Sequence, residues 1–516
     1  MTTSPWWRNA IFYEIYVRSF ADADGDGIGD LPGVTSRLPY LAELGVDAIW
    51  LTPFYRSPQA DHGYDVSDYR DVDPMFGDLA DFDTMLRRAH DLGIKVVVDI
   101  VPNHTSDEHE WFKAALAAGP GSLERERYIF RPGTGRHGTR PPNNWRSVFG
   151  GPAWKRLEDG DWYLHLFDEG QPDLNWRNPE VGDEFESVLR FWLDRGVDGF
   201  RIDVAHGMFK PEDLSPATRQ HRHPYYDNPE VHDVYRRWHT ILAEYDGDRM
   251  AVAEAWVDDA ASMARYVRAD ELQQAFNFHW LKADWSAAAF RRVITDTLAA
   301  VEPVQASPTW VLSNHDVTRH VTRYGGGARG VARARAATLT MLALPGSAYF
   351  YMGEELGLPQ ADVGPAQRQD PTWLRGGGVG RDGARVPLPW SGDRPPYGFG
   401  QGSGSACWLP QPADWSRLTV EAEDADAGST LTFYRRAVHL RRGLASTLGD
   451  EFAFLDIGPG LLAFSRGPGF VCVINCGSRR RRLPPVGDLL ISSGDDHDAG
   501  HGWLAPNTAA WFAGVE

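Results

Sequence analysis

The sequence predicts an α/β fold, a (β/α)8 TIM barrel with an inserted subdomain after the third strand and a C-terminal all-β domain. Three observations predict it: eight short apolar runs of strand-forming residues, helical patterns between most of them, and strand-only patterning beyond about residue 448. Periodicity alone leaves an open doubly wound sheet as the alternative.

The eight runs lie at residues 11–17, 47–53, 95–104, 198–205, 250–256, 272–278, 309–316 and 347–355. Between them, stretches such as "TSRLPYLAELG" and "LADFDTMLRRAHDLG" carry helical spacing and end in the Gly expected after a helix. Residues 105–178, rich in Gly, Pro, Trp and Asn, are too long for a simple connection and read as an inserted subdomain B. The barrel then occupies 1–104 and 179–447, with a long loop at 357–403 after the eighth strand, and 448–516 reads as a β-sandwich domain.

Composition narrows the function. With 52 basic and 71 acidic residues, the formal charge of −19 disfavours nucleic acid and suits a small neutral or cationic substrate. The basic run "SRRRR" at Arg479–Arg482 reads as a solvated turn. Three cysteines without framework spacing argue against a disulfide-stapled secreted protein. There is no leader-like start and no run of about 20 apolar residues, so a cytoplasmic protein without a membrane span is expected. The oligomeric state is left open.

In such barrels the reactive groups stand at the carboxyl ends of the strands. Those ends carry Asn103 and His104, Arg201 and Asp203, Glu254, and Asn314, His315 and Asp316. Three acids on three strand ends, with "HExxH" and "GxxxxGK[ST]" absent, fit glycoside hydrolysis, which needs one ionised carboxylate and one protonated carboxyl. Arg201 and Asp203 are two apart on a strand and share a face, so the guanidinium favours an ionised nucleophile. Glu254, between "AVA" and "AW", is expected in an apolar setting that favours the protonated acid. "GGGARG" at Gly325–Gly330 has dinucleotide-fingerprint spacing, but no buried first strand precedes it; a flexible loop is expected.

The motifs "DIVPNH", "GFRIDVAH", "AEAW" and "SNHD", in this order, closely resemble the four core motifs of glycoside hydrolase family 13, the α-amylase superfamily, and "QPDLNW" resembles its fifth. The resemblance spans almost the whole chain and falls in the α-glucosidase and oligo-1,6-glucosidase branch. It implies Asp203 as nucleophile, Glu254 as general acid/base and Asp316 as transition-state stabiliser, acting with retention through a β-glucosyl-enzyme. It also implies that Asp61 and Tyr64 hold the nonreducing glucose, that His104, Arg201 and His315 bind its hydroxyls, and that Phe149, Phe167 and Gln171 line the pocket. Arg381 would close the O4 end with Asp61, making the enzyme exo-acting on short α-glucosides.

Two departures bear on linkage. His62 stands where Asn is common among relatives. Val204, after the nucleophile, is associated with α-1,6 bonds, whereas "GFRIDVAHGM" as a whole resembles actinobacterial α-glucosidases acting on α-1,4 bonds. Maltose-type substrates are favoured, with isomaltose-type ones close behind. Trehalose synthase and α-transglucosylase activity share the same acids and stay open. A noncatalytic amylase-like binding protein is the remote alternative.

The loop "FADADGDGIGDLPG" suggests an EF-hand, but a strand-like segment precedes it and position twelve is Gly33 instead of an acid. Asp22, Asp24, Asp26 and Asp30 would repel without a cation, so a metal held by these side chains and the Ile28 carbonyl is expected. Relatives carry a similar loop with calcium, sometimes magnesium, which implies a structural role.

Overall fold

The computed structural model describes residues 4–400, 406–445, 448–449 and 451–513. Its central sheet has eight parallel strands: β1 (Ile11–Ile15), β2 (Ala48–Leu51), β3 (Lys95–Ile100), β4 (Gly199–Ile202), β5 (Met250–Ala253), β6 (Gln274–Ala275), β7 (Thr309–Val311) and β8 (Ser347–Tyr351). They pair in the order β6-β5-β4-β3-β2-β1-β8-β7. A parallel bridge between Asn277 and Trp310 joins the two ends, so the sheet closes into a barrel.

All eight strands are shorter than the apolar runs that predicted them, because each run continues past the sheet into the loop above it. The sixth shrinks most, from seven expected residues to Gln274–Ala275. Its neighbour Asn277 instead caps the short helix Phe278–Leu281 by accepting from the Trp280 N–H at 3.0 Å.

Helices α1 (Leu31–Leu44), α2 (Leu79–Asp91), α3 (Pro179–Arg195), α4 (Val231–Ala243), α5 (Ala260–Arg265), α6 (Ala287–Val301), α7 (Gly327–Ala343) and α8 (Thr430–Gly443) follow the strands in turn. Their ends are chemically marked. Asp30 caps α1, which stops at Gly45 with φ +89°. Asp78 and Asp81 form a reciprocal capping box on α2. Asn178 caps α3 ahead of Pro179, and Gly196 ends it at φ +103°.

The expected flexible loop at 325–330 is a correction: α7 begins at Gly327, and only Gly325 and Gly326 form the turn before it. Gly330 is required by packing, since a Cβ there would sit 2.3 Å from the Val321 carbonyl oxygen.

Within 105–178 the chain forms the helix Glu110–Ala118 and a three-stranded antiparallel sheet of Phe130–Pro132, Asp161–Leu164 and Trp154–Arg156. A second excursion, from 206 to 230 between β4 and α4, was not foreseen. Of the long loop expected at 357–403, residues 401–403 lie outside the described residues, as do 514–515 of the last expected strand.

Beyond α8, strands β9 (Phe452–Leu455), β10 (Leu461–Arg466), β11 (Phe470–Asn475), β12 (Asp488–Ser492) and β13 (Thr508–Ala513) form one antiparallel sheet in the order β9-β10-β11-β13-β12. One face packs on α7, where the Trp511 indole donates to the Leu339 carbonyl at 2.9 Å. The other face packs Leu483 and Leu504 of a two-stranded ribbon, Arg481–Arg482 with Trp503–Leu504, in place of a second full sheet. Arg481 and Arg482 are therefore ribbon residues, which corrects their reading as a turn. Among the described residues no helix is long and apolar enough to cross a membrane.

Candidate active site

Side chains alternate along each strand, and that alternation builds the site. Phe12, Trp50, Val97 and Val252 fill the barrel interior. Residues two further along therefore face the same axis one layer higher. This places Glu14, Asp99 and Glu254 inside the carboxyl end, with Arg201 and Asp203 beside them. Phe200 and Ile202 take the opposite direction, into the layer under the helices. One cavity of about 550 Å³ opens above, lined by Asp203, Glu254 and Asp316 together with Asp61, Tyr64 and Arg381. His104, Phe149, Phe167 and His315 complete its wall.

Arg201 is the hub of the floor. Its NH1 donates to Asp203 Oδ1 at 2.7 Å and to Asp99 Oδ1 at 3.0 Å. Its NH2 lies 2.9 Å from Glu254 Oε2, an ionic contact without hydrogen-bond alignment. The Val204 N–H donates to the same Oε2 at 2.8 Å, and the Trp256 indole donates to Oε1 at 2.8 Å. The expected apolar setting of Glu254 is thus corrected: the flanking Ala253 and Ala255 face away, and donors hold both carboxyl oxygens.

Val204 reaches Glu254 by adopting φ +45°, in the left-handed region that a β-branched residue rarely enters. Strain of this kind, of order 1–3 kcal/mol, persists where surrounding contacts over-determine it.

The opposite wall is also ionic. Arg381 donates to Asp61 Oδ1 at 2.7 Å, Asp316 Oδ1 at 2.9 Å and Asp370 Oδ2 at 2.6 Å. Arg385 donates to Asp316 Oδ1 at 2.9 Å. His315 Nδ1 meets Glu14 Oε1 at 2.5 Å, and its Nε2 lies 3.3 Å from Asp316. Tyr64 stacks on the His315 ring at 5.3 Å and donates its hydroxyl to Asp99 Oδ2 at 3.1 Å. Gln171 Nε2 lies 3.1 Å from His104 Nε2 and 3.4 Å from Asp61 Oδ2. Phe149 and Phe167 pack edge-on at 5.6 Å.

Charge balance follows from burial. Burial pushes the Asp203 carboxyl up; Arg201 pulls against it, and Glu254, Asp99 and Asp316 add repulsion. Arg201 favours the ionised Asp203 as expected, but burial and the neighbouring acids oppose it and raise the carboxyl overall. For Asp316 burial also works upward, but His315, Arg381 and Arg385 outweigh it and hold the carboxylate well below its usual range. Burial pushes His104 down to about 4 and His206 down to about 3, so both rings are neutral at pH 7. Asp316 is therefore held ionised at pH 7.

Several contributors escaped sequence reasoning. Glu14 and Asp99 sit inside strand patterns, where period two would have shown them facing the same way as Arg201. Asp370 and Arg385 come from the long loop after β8. His206, His223, Tyr225 and Tyr226, from the excursion after β4, line the cavity with no signal in the sequence pattern. That excursion is clamped by Lys210, whose buried ammonium donates to Asn103 Oδ1 and the Gly207 carbonyl at 2.7 Å each. The same ammonium lies 2.6 Å from Asp173. Lys210→Met would strand the Asp173 carboxylate, so stability should fall by roughly 3–5 kcal/mol. A urea midpoint unchanged from the parent would contradict this.

Comparison with known proteins gives the family. The family model described as the alpha amylase catalytic domain matches residues 14–448. The chain belongs to the α-amylase family. Within that family, Maltase 1 of Drosophila virilis is 38% identical over 93% of this chain and 79% of its own length. A probable alpha-glucosidase of Rhizobium meliloti (strain 1021) is 36% identical over 98% of this chain and 97% of its own. The crystal structure of the alpha-glucosyl transfer enzyme XgtA superposes with a TM-score of 0.89 at 36% identity, covering 99% of this chain and 100% of that one.

Like the expected clasp of this family, the acidic loop after β1 gathers carboxylates. Oxygens of Asp22, Asp24 and Asp30 lie within 4.8 Å of one another, a donor set that fits a hard cation. Asp26 does not join them; it accepts from the Ile28 N–H at 2.7 Å. Gly27 makes the sharp turn at φ +95°, where a Cβ would sit 2.4 Å from the Ala406 carbonyl oxygen. His62 is buried with both ring nitrogens unpartnered among the described residues, edge-on to Trp408 at 5.1 Å.

Proposed function

We propose that this chain is a retaining, exo-acting α-glucosidase that releases glucose from the nonreducing end of short α-glucosides. The observation that carries the reading is the single Arg201 guanidinium holding both Asp203 and Glu254. A shared guanidinium favours the close spacing of about 5–5.5 Å used by retaining pairs over the ~6.5–9.5 Å of inverting ones.

Asp203 attacks the anomeric carbon while Glu254 gives its proton to the departing oxygen, forming a β-glucosyl-Asp203 ester. Glu254 then takes a proton from water, which displaces Asp203 and yields α-glucose. Asp316, kept ionised by two arginines, stabilises the cationic sugar between these steps. Asp61 and Arg381, linked across the pocket wall, form the closed end against the sugar's O4, which makes cleavage proceed from a chain terminus. Tyr64 presents a ring face for stacking, and His104, His315 and Gln171 are placed to bind hydroxyls. Phe149 and Phe167 give the pocket apolar flanks.

Water and a second sugar compete for the same ester. Likeness to the alpha-glucosyl transfer enzyme XgtA supports keeping α-transglucosylation as the second reading. The test is product analysis on maltose, isomaltose, trehalose and sucrose side by side. Free glucose as the main product from maltose supports the reading, with slower release from isomaltose; interconversion of maltose and trehalose overturns it.

Asp22, Asp24 and Asp30 are proposed to hold a structural Ca2+, or Mg2+ in its place, with Asp26 and the Ile28 carbonyl joining only if the loop adjusts. When bound, the cation neutralises the acidic loop, which is tied to the long loop after β8 through the Asp22 N–H and the Phe399 carbonyl at 3.0 Å. EDTA should lower the thermal midpoint before it changes substrate preference, and added Ca2+ should restore it. An unchanged melt would contradict the clasp. The sparse, unpaired cysteines support a cytoplasmic location.

A further inference from the structure

The mouth of the pocket carries charge of the opposite sign to the molecule. A second cavity of about 710 Å³ adjoins the first and shares His223, Tyr226 and Trp256 with it as lining. Arg219 and Arg222, on the excursion after β4, line this outer cavity, and Arg146 of the inserted segment lines the inner one. All three side chains are exposed, and none has an ion-pair or hydrogen-bond partner among the described residues. The acids nearby are differently placed. Asp227 is held by Arg265 at 2.5 Å and by the Tyr266 hydroxyl at 2.8 Å. Asp258 is the one carboxylate of the outer cavity with no partner among the described residues. Arg375 and Lys155 take up the carboxylates of Asp168 and Glu169.

In the outer cavity the unpaired Arg219 and Arg222 face one free carboxylate, with the unpaired Arg146 in the adjoining cavity and the exposed Glu212 and Asp213 of the same excursion outside the lining, which leaves a local positive excess on a chain of net charge −19. The carboxylates of the adjoining cavity are paired with Arg201, Arg381 and Arg385, and acids farther off are screened over a Debye length of about 8–10 Å. Guanidinium groups match the paired oxygens of carboxylates and phosphates. The loop is not loosely attached: Tyr226 packs on His206 at 4.3 Å, and the Asp227 N–H donates to the His206 carbonyl at 2.7 Å. Trp256, whose indole donates to Glu254, lines both cavities, so the outer one opens beside the acid/base, where the group leaving the glucose would depart.

We propose that this mouth selects α-glucosides whose aglycone bears an anionic group, a carboxylate or a phosphate-type dianion, with Arg219 and Arg222 as its specificity residues and Arg146 supporting them. The proposal rests on the α-glucosidase reading, with the aglycone released through the mouth. Global acidity, which argued for a neutral substrate, does not describe the field at this rim.

The test compares three aryl α-glucosides: 4-carbamoylphenyl, which is neutral, 4-carboxyphenyl, its near-isosteric anion, and 4-phosphonophenyl. At low salt the carboxylate should be favoured over the carboxamide in kcat/KM by about tenfold, from two or three exposed charge contacts. The phosphonate exceeding the carboxylate would assign a phosphate-type group; the reverse order would assign a carboxylate. The preference should fade in 0.5 M NaCl and fall below about threefold in R219Q/R222Q. That variant should cleave the carboxamide at the parent rate, which also reports that it is folded. Equal rates on the neutral and anionic glucosides, or a preference untouched by the double substitution, would overturn the proposal. No cleavage of any of the three would instead overturn the α-glucosidase reading itself.

Discussion

Replacing Asp203 by asparagine is expected to lower kcat on maltose by about 10⁵-fold, the order seen when a covalent nucleophile is removed. The loss should leave the fold intact. Asp203 stands on a barrel strand end, held by Arg201 and by its own N–H to the Ile100 carbonyl at 2.8 Å, and asparagine preserves that backbone. The thermal midpoint should equal or exceed the parent's at pH 7. Burial raises the Asp203 carboxyl in the folded state above its unfolded value, so the folded chain binds that proton more tightly. Its contribution to stability is thus fullest below the unfolded carboxylate range and is lost as pH rises through the raised folded value. The substitution removes that loss. A variant that is inactive because it is unfolded would not bear on the mechanism; one that is folded and active would refute it.

Glu254→Gln should separate the two chemical steps. With a poor leaving group such as glucose, departure requires the proton of Glu254, and kcat should fall by about 10²–10⁴-fold. With 2,4-dinitrophenyl α-glucoside the first step needs no proton, so a burst of phenol should precede slow turnover as the glucosyl ester accumulates. Azide needs no general base. It should restore turnover and yield α-glucosyl azide, because it enters from the face the phenol left. The amide retains the Val204 N–H and Arg201 contacts on its carbonyl oxygen, so positioning is largely kept, whereas its nitrogen, a donor, cannot accept from the Trp256 indole. Equal losses for both leaving groups, with no response to azide, would remove Glu254 from the acid/base role.

The fold was legible because each barrel strand is a short apolar run and six of the eight flanking helices, all but α4 and α7, begin at a side-chain cap. Strand lengths were overread for a physical reason. The runs continue into catalytic-face loops, where apolar residues pack although no ladder bonds form, so hydropathy does not register the strand's end. In the site, Asp203, Glu254 and Asp316 stood out as strand-end acids, and Asp61 and Arg381 through their resemblance to a known pattern. Glu14 and Asp99 were hidden because a carboxylate inside an apolar strand looks like an isolated exception until the barrel brings two of them towards Arg201. The Arg219–Tyr226 excursion was invisible. It has neither period, and it is held through Lys210, Asp173 and Asn103 by contacts that reach as far as 107 residues along the chain.

The central claim is that Asp203 and Glu254 act as a retaining pair on an α-glucoside. Its most direct test is ¹H NMR of the first glucose released from maltose, recorded before mutarotation. The α-anomer should appear first, with the β-anomer growing in only at the mutarotation rate. Initial release of β-glucose would mean that water attacks the substrate directly, and would contradict a covalent Asp203 intermediate.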